Sequence, residues 1–134
     1  MREIKFRGNR VNNGKWVYGL PLYSVVGAKV IIDTIQSYED LRYYTVIPET
    51  VGQFTGLHDK NGKEIYEGDI VKLCDTNPIL FRVEIILARY GYKTVFKLLD
   101  DGTIAQCYFL DKCEVVGNIH DNPELRKEAQ TSAK

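Results

Sequence analysis

The chain has 134 residues, 44% of them apolar and 27% charged, with 18 basic residues balanced by 18 acidic ones. That length holds one domain or two very small ones, and roughly two thirds of the extended surface can be buried on folding. The charge balance excludes an acidic disordered tail and removes the simplest case for nucleic-acid binding, an overall basic domain, while leaving a local basic face open.

The first residues, MREIKFRG, lack the apolar centre of a signal peptide. The longest apolar runs fall far below the ~18 residues of a membrane helix. The expectation is a cytoplasmic protein without membrane contact. Cys74, Cys107 and Cys113 are odd in number, widely spaced and in no CxxC pair. A four-ligand zinc site would need His58, His120 or a carboxylate to complete it. Reduced, independent thiols are therefore expected, with no metal and no cofactor.

In chain order, Ile4 and Phe6 alternate with Glu3, Lys5 and Arg7, which predicts a short strand with Ile4 and Phe6 on its dry face. Asn12-Asn13-Gly14 is a turn, and Lys15–Leu20 is the next strand, with Pro21 suited to an edge or a strand exit. Val25–Ile32 is β-prone around Gly27, Thr34–Asp40 is a loop or one helical turn, and Tyr43–Ile47 is a strand stopped by Pro48. Gln53–Leu57, between Gly52 and Gly56, predicts an irregular extended segment.

Residues 50–71, TVGQFTGLHDKNGKEIYEGDIV, carry the densest signals. Asn61-Gly62 between two lysines predicts a tight hairpin, returning as a strand over Glu64–Tyr66. Glu67-Gly68-Asp69 is a second turn, with Gly68 giving backbone freedom and Asp69 accepting backbone N–H bonds. Asp69–Cys74, Ile79–Arg89, Tyr92–Leu99, Thr103–Phe109 and Cys113–Ile119 then read as five strands, with Asp101-Gly102 as a hairpin turn. Asp121 and Glu124 have the spacing of a capping box, predicting a short helix over Pro123–Gln130 and a frayed tail. The whole predicts a mainly β chain: a β-rich N-terminal region over 1–65, a small barrel over 66–120 that would remove exposed strand edges, and a helix and tail over 121–134.

Chemistry is thin. His58-Asp59 and His120-Asp121 have the look of a base and its orienting acid, but no Ser or Cys nucleophile lies nearby, and a solvated loop pair is the simpler account of each. Glu64, Glu67 and Asp69 cluster as oxygen ligands would, yet Lys60, Lys63 and Lys72 are nearby and no calcium-loop spacing is met. No phosphate-cradling glycine motif occurs. No catalytic residues are assigned. For nucleic acid, the best aromatic and basic cluster is Arg89, Tyr90, Tyr92 and Lys93, extended by Arg82 and Lys97 if strand pairing aligns them, and Tyr43-Tyr44 with Arg42 is the second. Tyrosines in a β protein serve equally as cross-strand packers and interface residues.

REIKFRG at the start, KWVYG at 15–19, the central segment at 50–71 and EVVGNIHDNPEL at 114–125 together resemble the YopX family of phage and prophage proteins. The resemblance spans nearly the whole chain. It implies a β-rich fold with a barrel-like, Src-homology-3-like second half, and no catalytic residues to carry over. The expected function is a non-enzymatic phage accessory protein acting through protein contacts with a host or phage partner and as a homo-oligomer. The alternative is nucleic-acid binding by the second half.

Overall fold

The computed structural model describes residues 4–23, 29–33, 42–73, 79–105 and 112–125. Most of them are strand, in two compact units that divide between Phe54 and Thr55. Among the described residues no helix is long and apolar enough to cross a membrane.

The first unit contains β1 (Phe6–Asn9), β2 (Trp16–Tyr23), β3 (Lys29–Asp33), β4 (Arg42–Thr45), a 3-10 turn at Pro48–Thr50 and the start of β5 (Gly52–His58). Its order is β4-β3-β2-β1-β5, antiparallel throughout. β2 pairs with β1 through Trp16–Gly19 and with β3 through Leu20–Tyr23. Pro21 therefore has a partner on one side only, which suits a residue without a backbone donor.

The dry face expected of the first strand is inverted. Ile4 is 68% exposed, whereas Arg7 is 7% exposed. The cause is aromatic cover: the Arg7 guanidinium lies 4.6 Å from the Trp16 ring centre, and Lys5 Nζ 5.4 Å from that of Phe54. Long cationic side chains bury their stems and place their charge on π faces, which alternation alone reads as a wet face. The segment at 53–57 is also more regular than expected, since it lies within the seven-residue β5, with a left-handed residue at Gly56 (φ 85°).

In the second unit, the rest of β5 neighbours β6 (Glu64–Tyr66). A five-stranded antiparallel sheet follows in the order β10-β9-β8-β7-β11, from β7 (Asp69–Leu73), β8 (Ile79–Ala88), β9 (Gly91–Leu98), β10 (Ile104–Ala105) and β11 (Cys113–Asn118). Residues 74–78 and 106–111, with Cys74 and Cys107, lie outside the described residues. Period-two alternation sends Val71, Phe81, Val83, Phe96 and Cys113 to one face, where they form the core with Ile65 of β6. Leu57, Leu73, Leu98 and Val115 pack around it.

The closed, Src-homology-3-like barrel is not formed. The sheet ends at β10 and β11, and among the described residues no ladder joins them. The β5–β6 hairpin covers the core instead of a closing strand, and its loop occupies the edge of β11. The Asp59 carboxylate accepts the Val115 N–H (2.9 Å), and the Lys60 N–H donates to the Cys113 carbonyl (3.0 Å). Two outward-facing groups of β11 are thus satisfied as a neighbouring strand would satisfy them.

The same carboxylate builds its own loop. Its Oδ1 accepts the N–H groups of Asn61 and Lys63, both at 2.9 Å, while the Asp59 carbonyl accepts the Gly62 N–H. Gly62, with φ 81°, is the last residue of that turn. The loop is therefore an Asp-anchored turn followed by a left-handed glycine, in place of a two-residue Asn-Gly turn. Asp59 is 7% exposed, so it is no solvated loop residue. Burial acts to raise its pKa, but the N–H bonds from Val115, Lys63 and Asn61 and the charge of Lys63 outweigh that and hold it below the ordinary aspartate value.

Gly68, with φ 94°, joins three strands' ends. Its N–H donates to the Val83 carbonyl and its carbonyl accepts the Ile119 N–H, each at 2.9 Å. Asp69, 2% exposed, accepts the Tyr66 N–H at 2.7 Å across the same turn. At the same end of β11, the Asn118 Oδ1 accepts the N–H groups of His120 (2.9 Å) and Asp121 (2.8 Å), turning the chain into helical residues from Pro123 to Leu125. The helical backbone starts after Asn122, and the expected extension to Gln130 lies outside the described residues.

Two outcomes follow for stability. Gly68→Val should destabilise the protein by about 1–3 kcal/mol in denaturant unfolding, because a β-branched residue cannot adopt that φ without strain. Asp59→Asn should cost about 1–3 kcal/mol at neutral pH, since its amide nitrogen would face the Val115 N–H. The wild-type pKa is depressed in the folded state, so this stabilisation is complete above the unfolded value of about 4 and is lost as pH falls through the folded value. The variant's stability should accordingly fall less steeply than the wild type's below about pH 4, measured by urea unfolding across pH.

Candidate functional site

Several of the polar groups that invite catalysis have structural partners. Asp59 is committed to the loop and β11, and the adjacent His58 is exposed. Glu64 accepts the Tyr66 hydroxyl at 3.0 Å, and Asp69 accepts the Tyr66 backbone N–H. Among the described residues no group of three or more His, Cys, Asp or Glu side chains is placed to hold a metal. Cys113 is buried within the core and forms no disulfide.

The basic and aromatic residues of β8 and β9 separate into two sets. Arg82 and Lys97 are directly opposite across the ladder, so strand pairing does align them. Glu84 stands between them, 2.9 Å from Arg82 Nη2 and 2.6 Å from Lys97 Nζ. One carboxylate thus offsets much of the field of both cations. The second set is at the hairpin tip, where Arg89-Tyr90 forms a two-residue loop between the paired Ala88 and Gly91. Leu87, Tyr90 and Tyr92 are 72%, 94% and 71% exposed, and Leu87 pairs with Tyr92 across the strands. The Arg89 guanidinium lies 5.9 Å from the Tyr90 ring centre, and Lys93 follows on the outgoing strand. Among the described residues neither Arg89 nor Lys93 has a carboxylate partner.

In the first unit, Tyr43 and Tyr44 lie on β4 and line a groove of about 390 Å³ with Thr45, Arg10, Val11 and Asn12. The Arg10 guanidinium is 4.6 Å from the Tyr44 ring centre. Arg42, the cation beside these tyrosines in sequence, is not among the lining residues. Sequence spacing gives no signal for Arg10, which reaches the groove because the β1–β2 loop is tied to the end of β4. The Val11 N–H donates to the Thr45 carbonyl (3.1 Å), and Arg10 and Val46 form a β-bridge.

The YopX protein family matches residues 5–127, nearly the full length. No curated protein matches the chain. Among solved structures it is similar to the crystal structure of protein EF1440 from Enterococcus faecalis, with 27% identity, 94% of this chain and 99% of that one covered, and a TM-score of 0.59. The family match extends over nearly the whole chain, as the four motifs do, and the chain belongs to the YopX family.

Proposed function

We propose that this protein is a non-enzymatic accessory protein of a phage or prophage, working in the bacterial cytoplasm through protein–protein contacts that include self-association. The observation that carries this reading is the β8–β9 tip, where Leu87, Tyr90 and Tyr92 expose most of their surface on a short, regular hairpin. Strand pairing fixes the backbone that carries these side chains, which lowers the ordering entropy that opposes contact. Tyr is enriched at interfaces because one ring offers both apolar area and a hydroxyl. The phage setting rests on family membership.

Binding of nucleic acid by the same tip is the second reading, supported by Arg89 over Tyr90 and by Lys93 beside Tyr92. Arg82 and Lys97 contribute less to it, because Glu84 bridges them.

Sedimentation velocity over micromolar concentrations tests the leading reading. The wild type should self-associate, and Leu87→Ser with Tyr92→Ser should reduce association by about tenfold or more without lowering the melting temperature. A wild type that stays monomeric throughout would sink the self-association. Titration with single- and double-stranded DNA at two salt concentrations tests the second reading, which requires binding that weakens steeply with salt and is lost in Arg89→Ala with Tyr90→Ser.

A further inference from the structure

We infer that the groove of the first unit is a binding site for a nucleotide unit, a planar base bearing a phosphate, built from residues other than those of the β8–β9 tip. Three observations on the groove support this class of ligand. The first is an uncompensated cation. Arg10 lies over Tyr44, and among the described residues it has no carboxylate partner, in contrast to Lys60, Lys72, Arg82 and Lys97, each within reach of a glutamate. A guanidinium stacked on a ring keeps its N–H fork available for an oxyanion, and phosphate fits that fork in bidentate fashion.

The second is free ring surface. Tyr43, 60% exposed, lines the same groove, with Val11, 59% exposed, on the loop opposite. A flat base gains stacking area on such a ring whatever its identity, and the amide of Asn12 adds a donor and an acceptor for a base edge. The groove volume, about 390 Å³, lies within the range of small-molecule sites.

The third is preorganisation. The loop carrying Arg10, Val11 and Asn12 is closed by Arg10 N–H to the Lys15 carbonyl (2.8 Å) and Gly14 N–H to the Arg10 carbonyl (3.0 Å). The Asn9 amide holds the Gly14 carbonyl at 2.8 Å, and Gly14 supplies the left-handed φ of 68°. Ile47 N–H to the Asn9 carbonyl (2.9 Å) and Asn9 N–H to Thr50 Oγ1 (2.9 Å) then fix the loop beside β4. Arg10 and Tyr44 meet without any ordering step on binding.

A free nucleotide and one unit of a single strand share this chemistry, and the test separates them. The full chain is titrated at low salt with adenosine monophosphate and with a short oligothymidylate, followed by calorimetry. Binding of both with similar affinity assigns the free nucleotide, and binding of the oligonucleotide at least about tenfold tighter assigns the single strand. In either case Arg10→Ala and Tyr43→Ala should each weaken binding about tenfold, Tyr43→Phe should retain it, and Arg10→Lys should fall between, because a point charge replaces the fork. Tyr90→Ser should leave it unchanged, which separates this site from the tip. Circular dichroism confirms folding of each variant, and Arg10→Lys remains informative should Arg10→Ala unfold. Absence of binding by both probes, or wild-type affinity in Arg10→Ala and Tyr43→Ala, overturns the assignment.

Discussion

The carboxylate of Asp59 is the constraint on which the second unit depends. With two oxygens it fixes the loop between β5 and β6 and attaches that loop to β11, whose Val115 N–H would otherwise point outward from an edge strand. Charge strengthens each bond, since an ionised acceptor holds N–H donors about twice as well as a neutral one. The result is a sheet that needs no closure. Its core is covered by Ile65 and Leu57 from the hairpin, and one edge is occupied by the hairpin loop. Lys60 and Lys72 flank Glu114 of β11 at 3.8 and 3.7 Å, a partly exposed pair of contacts that adds little energy beside the buried bonds.

The first unit is stabilised differently. It has few fully buried apolar side chains, Val46 and Phe54 among those described. Stacked cations supply further cover, with Lys5 on Phe54, Arg7 on Trp16 and Arg10 on Tyr44. Lys5, just before β1, and Arg7 on it are two residues apart, and Arg7 reaches Trp16 diagonally across the β1–β2 ladder. A cation desolvated on a ring contributes more than an exposed one. The Arg10–Tyr44 pair repeats the same contact at the groove, where ring and guanidinium are both at the surface.

The two surfaces with functional character arise from contrasting charge arrangements on one kind of residue. Glu84 ties Arg82 and Lys97 into the sheet, so those cations are spent on structure. At the hairpin tip and in the groove the arginines lie on tyrosines instead, and no described carboxylate offsets them. A neutral chain can therefore present local positive character at two places, because net charge fixes only the sum.

Much of the fold was legible in the sequence where the determinants are local. The alternation of Phe81 and Val83 with Arg82 and Glu84 places β8 and its faces, and the Glu67-Gly68-Asp69 turn forms with Gly68 at φ 94° and Asp69 holding the Tyr66 N–H. The near-complete match to the YopX family was legible for the same reason, since its motifs are contiguous segments. What the tertiary structure alone decided are the contacts between distant positions. Asp59 and Val115 are 56 residues apart, and their bond makes a structural clip of what adjacency to His58 presents as a loop pair. The cover over Arg7, the carboxylate between Arg82 and Lys97, the meeting of Arg10 with Tyr44 and the open sheet in place of a barrel belong to the same class. Alternation reports which side of a strand a residue faces, but what lies on that side depends on strand order and register, which no local pattern encodes.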